Sequence, residues 1–206
     1  MITRRTVLTA PLAVAAAPAL AQQETNGAQV AITTLNTGLS LVMKAGKTLP
    51  FAQRMAMLTP VVKYVFDLPT LLESSVGPGH WANLPDPQKA ELLDAFTEFT
   101  VSSYVGNFDA FNGERFSIAP ELRHVGRDVV VATKLTGNGG DITKLDYQLR
   151  ESGGQWRVVD ILLDGTISRV AVTRSDWRKL LSGTDATALI ASLRAKSASL
   201  AAGTSN

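Results

Sequence analysis

Residues 141–168, DITKLDYQLRESGGQWRVVDILLDGTIS, read as a hairpin whose two arms obey different rules, and the second arm limits the folds open to this chain. In the first arm Leu145, Tyr147 and Leu149 alternate with Lys144, Asp146, Gln148 and Arg150, the period of two expected of a sheet with one wet face. In the second, Trp156, Val158 and Leu162 share a row with Asp160, while Val159, Ile161 and Leu163 form the other row. Both rows are apolar. An antiparallel sheet normally keeps one face for its core, so a strand apolar on both faces must be covered twice. Periodicity alone leaves open which row faces the interior.

The hairpin sits within a longer meander. Arg115 to Val125, Asp128 to Leu135 and Thr166 to Val172 also read as strand, punctuated by Gly126-Arg127-Asp128, Gly137-Asn138-Gly139-Gly140, Ser152-Gly153-Gly154 and Asp164-Gly165. Before it, apolar spacing predicts helices over about Ala28 to Lys47, Phe51 to Phe66, Asp67 to Glu73, and Asp86 to Tyr104 or Phe108. Asp67, two residues before Pro69, and Asp86, directly before Pro87, are read as caps. The longest of these helices is apolar over a wide arc, so it touches more than one layer. Two more helices follow the meander, through Leu181 and from Thr184-Asp185. The strand segments number five, yet the fold is expected as helices, a four-stranded antiparallel sheet and then helices, an α+β fold.

MITRRTVLTAPLAVAAAPALA, residues 1–21, has a basic start, an apolar run and small residues before a break, the pattern of an export signal cleaved after Ala21. Thr3-Arg4-Arg5-Thr6-Val7-Leu8 also fits a twin-arginine signal, so the general secretory and twin-arginine routes both remain open. The apolar run falls short of the roughly 20 residues a membrane helix needs. Of the 206 residues, 22–200 are read as one domain and 201–206 as a disordered tail. Removing the leader takes Arg4 and Arg5 and leaves 18 basic against 18 acidic residues. A chain with no net charge and no basic run is a poor nucleic-acid binder. With no cysteine, disulfides and thiolate metal sites are excluded.

Catalytic signatures are absent: no phosphate-binding glycine loop, dinucleotide fingerprint, nucleophile elbow or zinc-helix motif occurs. His80 and His124, the two histidines, lie in different segments without a carboxylate at ligand spacing, so no metal and no cofactor are expected. Asp160 and Asp164 fall on one strand face but roughly 13 Å apart at the strand rise, too far to share a proton. Asp160, which breaks an apolar row, is read first as an ion-pair partner of Arg174 or Arg169 or an edge residue near water, and second as a proton-handling or head-group-binding carboxylate. Arg54, inside an apolar helix, is read first as the partner of a buried carboxylate and second as a surface residue with an apolar stem. The rings of Phe66, Trp81, Phe96, Phe99, Tyr104, Tyr147, Trp156 and Trp177, with the doubly apolar strand, exceed what one layer pair needs. Part of that surface is expected to line a hole.

Three stretches, RMAMLTPVVKYVFDLPTLLESSVGPGHW (54–81), LLDAFTEFTVSSYVGNF (92–108) and WRVVDILLDGTISRVAVTRSDWRKLL (156–181), resemble the MlaC family of periplasmic lipid carriers, auxiliary components of ABC transporters. The family's arginine, Phe-Asp, glycine and tryptophan fall on Arg54, Phe66, Asp67, Gly77 and Trp81. Its Trp-to-Asp strand, glycine-serine turn and arginine helix fall on Trp156, Asp160, Gly165, Ser168 and Arg174. SSYVGNFDAFNGERF and VVDILLDGTISRVAVTRSDW look especially like the hopanoid-associated HpnM branch. His80, inserted before Trp81, and the long turn 164–168 depart from the pattern.

The resemblance implies a cone-shaped sheet like that of nuclear-transport-factor folds, wrapped by helices around an apolar cavity. It implies a soluble periplasmic carrier shuttling phospholipid or hopanoid between an inner-membrane MCE-type ABC transporter complex and an outer-membrane partner. A monomer is expected. Val62, Phe66, Leu72, Trp81, Phe96, Phe99, Tyr104, Tyr147, Val159, Ile161, Leu163 and Trp177 are the residues expected against lipid, with Arg54, Asp67, Asp160 and Arg174 as structural polar groups. At about 0.8 kcal/mol per buried methylene, roughly 15 on one chain would cost about 12 kcal/mol to leave in water, so a carrier needs a dry pocket and no catalytic group. Two rivals stand beside this reading. One is an enzyme on the same cone, using Asp160 and Tyr104 on a polycyclic lipid; the other is an adaptor that docks on a transporter without holding lipid.

Overall fold

The computed structural model describes residues 17–203, with side chains from Gly27 onward. Residues 1–16 of the expected leader and 204–206 of the expected tail lie outside the described residues. In chain order the elements are α1 (Ala17–Ala45), α2 (Phe51–Val65), α3 (Leu68–Val76), α4 (Pro78–Asn83), α5 (Asp86–Asn107), β1 (Arg115–Val125), β2 (Asp128–Thr136), β3 (Ile142–Ser152), β4 (Gln155–Leu163), β5 (Ile167–Ser168), α6 (Arg169–Trp177) and α7 (Thr187–Ala201). The fold is α+β. No helix among the described residues is long and apolar enough to cross a membrane.

The local chemistry at the helix ends explains most boundaries. Asp67 caps α3, accepting from the Thr70 amide at 3.1 Å and from its hydroxyl at 2.8 Å, with Pro69 in the first turn. Asp86 plays a different part from the cap expected of it. Pro85 holds the cap position in extended backbone, and Asp86 is the first helical residue, its carboxylate 3.3 Å from Lys89 Nζ. A carboxylate in the first turn still favours the helix through its dipole.

The sheet has five strands rather than four, in the order β1-β2-β3-β4-β5, with every pair antiparallel. The fifth is only two residues long. Strand propensity over Thr166 to Val172 is overridden because Ser168 caps a helix: its hydroxyl accepts from the Ala171 amide at 3.0 Å, and Asp160 accepts from the Val170 amide at 3.1 Å. Two side-chain oxygens thus satisfy first-turn amides and start α6 inside a β-branched run.

A β-bulge settles which row of β4 faces inward. Gln148 pairs with Asp160 but Leu149 pairs with Val158, so Val159 is the extra residue. The phase of the strand shifts there. Trp156, Val158, Ile161 and Leu163 therefore share the face that carries Leu145, Tyr147 and Leu149, while Val159 and Leu162 lie on the other. Neither simple row predicted from alternation exists in the folded strand. Val158 and Ile161 belong to the main core cluster or pack on it, whereas the buried Val159 and Leu162 stand outside it.

Helices cover the face of the sheet that carries Tyr147, Leu149 and Val158. α1 and α2 pack on each other and on β4, burying Ile32, Leu35, Leu39, Val42, Leu58 and Val62 completely. α5 lies beside them and is backed by α7, which approaches so closely at Gly106 that a Cβ there would stand 2.9 Å from Leu200 Cδ2. Arg54 is 6% exposed and ties α2 to α5, but not through a carboxylate. Its guanidinium donates to the carbonyls of Leu49 at 3.2 Å and Val105 at 3.1 Å and lies over the Phe51 ring. Two backbone acceptors at helix ends, otherwise without partners, answer the cation that the sequence suggested an acid would answer.

Both outer edges of the sheet are blunted. Beside β4, Phe66 forms a parallel bridge with Val158, Asp67 N–H donates to the Val158 carbonyl at 3.0 Å, and β5 continues the cover along Leu162 and Leu163. On β1, Pro120 lies in a register break between Ile118 and Leu122, and Gln29 Nε2 donates to the carbonyls of Ala119 and Pro120.

Candidate functional site

Between the helix-covered face of the sheet and helices α3, α5 and α6 lies a cavity of about 260 Å³. Each element contributes residues by its own period. α5 presents Phe96, Phe99 and Thr100, Ser103 and Tyr104, then Asn107, successive turns of one face. α3 gives Leu71 and Ser75, α6 gives Arg169, Val170, Thr173 and Trp177, and the sheet gives Leu145, Tyr147, Ile161 and Leu163. Phe66, Phe108 and Asp160 complete the wall.

The rings form one connected group around Phe66 and Tyr104 and a separate pair, Phe96 and Trp177. Phe66 lies 5.6 Å from Tyr104 and 6.5 Å from Tyr147 between centroids, Tyr104 stacks on Phe108 at 6.0 Å, and Phe96 meets Trp177 edge-on at 5.9 Å. These are favourable aromatic spacings, and they hold the wall open without filling its middle. The two phenols stay protonated across the ordinary pH range. Burial pushes Tyr147 up to about 12, and burial together with the neighbouring Tyr147 raises Tyr104 well above 10, against a smaller opposing effect of the Arg169 charge.

Asp160 is the one carboxylate in the wall, and α6 has taken it. It accepts from the Ile161 amide at 2.7 Å, the Val170 amide at 3.1 Å and the Ser168 hydroxyl. Neither Arg169 nor Arg174 pairs with it, contrary to expectation. A helix start supplies amides already aimed at the carboxylate, which leaves no need for a guanidinium. Arg174 instead donates from Nε to the Ser74 carbonyl at 2.8 Å. Its stem crosses Gly77, whose φ of 88° suits glycine and where a Cβ would stand 3.5 Å from Arg174 Cδ. Arg174, Arg178 and His80 line a separate cleft of about 200 Å³ on the far side of α6.

Of the twelve residues expected against a ligand, Phe66, Phe96, Phe99, Tyr104, Tyr147, Ile161, Leu163 and Trp177 line the cavity. Four do not. Val62 and Leu72 are fully buried in the packed core, Leu72 because the Leu71–Ser75 stripe of α3 faces the cavity and the next residue points about 100° away. Val159 is carried to the opposite face by the bulge. Trp81 sits on α4 beyond the end of α3, with Lys89 Nζ 5.7 Å over its ring. The sequence reading missed the small and polar wall residues Ser75, Thr100, Ser103, Asn107 and Thr173, and placed Arg169 only as a partner for Asp160. The spacing 96-100-103-107 on α5 was the available signal. Among the described residues no cluster of His, Cys, Asp or Glu is placed to hold a metal.

The cavity can enclose hydrocarbon and little else. At about 30 Å³ for a water-sized group it holds roughly nine, a stretch of one alkyl chain. The exposed lining residues are Asn107, ending α5, and Arg169, starting α6, and they mark its rim.

Comparison with known proteins agrees with this architecture. Residues 34–195 match the model of the MlaC protein family. No curated protein matches the chain significantly. One solved structure that matches is a phospholipid-binding protein from Ralstonia solanacearum in complex with a phospholipid, at a TM-score of 0.71 over 84% of this chain and 98% of that one. The two sequences are 20% identical, so the likeness speaks for the fold.

Proposed function

The chain belongs to the MlaC protein family, and from that premise we propose that it is a lipid carrier, enclosing hydrocarbon in the α3–α5–α6 cavity while the head group stays in water. The observation that carries this reading is the hollow itself: about 260 Å³ walled by Phe66, Phe96, Tyr104, Tyr147, Ile161 and Trp177, with a rim that reaches solvent. Sheltering roughly nine methylenes there offsets about 7 kcal/mol of contact with water. The phospholipid in the Ralstonia neighbour supports the same reading. Binding and transport suit the site better than catalysis, because the oxygens of its carboxylate are already hydrogen-bonded by the start of α6.

The finer parts of the proposal rest on the sequence. Residues 1–21 support export to the periplasm, and the family supports shuttling between an inner-membrane MCE-type transporter complex and an outer-membrane partner. The likeness of two stretches to the HpnM branch supports hopanoid as a cargo beside phospholipid. A monomeric domain over 22–200, with its sheet curved into a cone around the hollow, completes the picture.

Native mass spectrometry of the protein isolated from its own cell envelope tests the central claim. A mass increment removed by organic extraction, and restored by incubation with phospholipid vesicles, is expected. Protein that carries no increment and takes up none would sink the reading.

A further inference from the structure

We propose that Arg169 selects lipids bearing a phosphate group, by pairing its guanidinium with that phosphate at the cavity mouth; the proposal deepens the carrier reading and rests on it.

The mouth is built from four polar side chains on facing helices: Ser103 and Asn107 on the last turns of α5, Arg169 and Thr173 on the first turns of α6. None of the four makes a side-chain hydrogen bond or ion pair with another described residue. Elsewhere on the same wall the Thr100 hydroxyl donates to the Phe96 carbonyl at 2.7 Å, and Asp160 is held by three donors. Donors left idle together at one opening are poised for a ligand that brings its own acceptors.

The sign of that ligand follows from the charges. Arg169 is the one cation in the wall, and Asp160, the one anion, has its charge compensated by the amides and hydroxyl of α6. Arg169 is exposed, so its guanidinium reaches the rim, yet its charge is felt by the Tyr104 phenol inside. It therefore stands at the boundary where an enclosed chain must give way to a head group. A phosphodiester offers two unesterified oxygens to a forked guanidinium, and its remaining acceptors can meet Asn107 and Thr173. An uncharged polycyclic or diacyl lipid fills the same hollow but leaves these donors to water.

The test compares delipidated wild-type protein with R169Q and R169K, loaded from vesicles containing phosphatidylglycerol or diacylglycerol with identical chains. R169Q is expected to weaken phosphatidylglycerol binding about tenfold, equivalent to about 1.4 kcal/mol, and to leave diacylglycerol binding unchanged. R169K should regain part of the loss, with urea midpoints equal in all three proteins. Inorganic phosphate alone is expected not to bind; phosphate binding that R169Q abolishes would make this a free-phosphate site and overturn the head-group assignment. Equal weakening of both lipids, or undiminished phosphatidylglycerol binding, overturns the selectivity. Wild-type protein that takes up neither lipid overturns the carrier reading as well, which distinguishes the two failures.

Discussion

The helix-covered face of the sheet is closed in two different ways. Under α1 and α2 it meets Ile32, Leu35, Leu39, Leu58 and Val62, all fully buried, and the space is full. Under α3, α5 and α6 it meets Phe66, Phe96, Tyr104 and Trp177, and a hollow remains. Both halves are apolar, so hydrophobicity does not distinguish them. Shape does: branched aliphatic chains interdigitate to crystal-like density, whereas rings propped 5.6 to 6.5 Å apart brace one another and stop short of the middle. The hollow is a product of which apolar residues were used, on one continuous face.

That contrast can be broken most forcefully by truncating one leucine in each half. Leu58→Ala should cost about 3 kcal/mol in urea unfolding, since a packed site cannot collapse onto the void. Leu163→Ala, which only enlarges a space already present, should cost about 1 kcal/mol; equal costs would mean that the hollow is closed in solution.

Alkaline titration probes the hollow half alone. Tyr147 has its folded pKa raised to about 12 against an ordinary 10, and Tyr104 is raised too. A raised folded pKa means stabilisation that is complete below pH 10 and is lost as pH climbs through the folded value. Unfolding free energy should fall by about 2–3 kcal/mol between pH 10 and 12, and Tyr147→Phe should flatten that limb.

Asp160→Asn separates support from chemistry at the wall. Losing the charge that holds the start of α6 should cost about 1–2 kcal/mol in thermal or urea unfolding. Lipid content of the folded protein should be unchanged; loss of activity on a polycyclic lipid, if one is found, would revive the enzymatic alternative. The smallest stability effect comes from filling the space. Ile161→Trp should alter stability by within about 1 kcal/mol but lower retained lipid, measured by mass spectrometry of the extract. Val159→Trp, on the opposite sheet face, should leave the folded fraction fully loaded.

Much of this was legible because it is written in local periods. The glycine turns marked the meander, Asp67 marked a helix start, and aromatic residues marked most of the wall. What escaped depended on contacts between distant segments. The bulge at Val159 appears only when β4 meets β3, and it reorders both apolar rows at once. Thr166 to Val172 carries strand propensity, and the Ser168 cap together with Asp160, reaching across from β4, turns it into a helix start. Arg54 found carbonyls of Leu49 and Val105, acceptors that every sequence contains and none advertises. The rim residues Ser103, Asn107 and Thr173 are chemically ordinary, so nothing but their helical spacing set them apart.

Pro120, the Gln29 amide and the Phe66–Asp67 crossing do more than finish the sheet. A protein with an oily opening must travel at high local concentration without sticking to copies of itself, and the commonest route to such polymerisation is strand pairing at a bare margin. Here one margin is interrupted by a residue that cannot donate and the other is occupied at Val158 and at Leu162 and Leu163. Whatever association the molecule undergoes has to start from the opening or from its helices, where it can be reversed by a membrane or a partner.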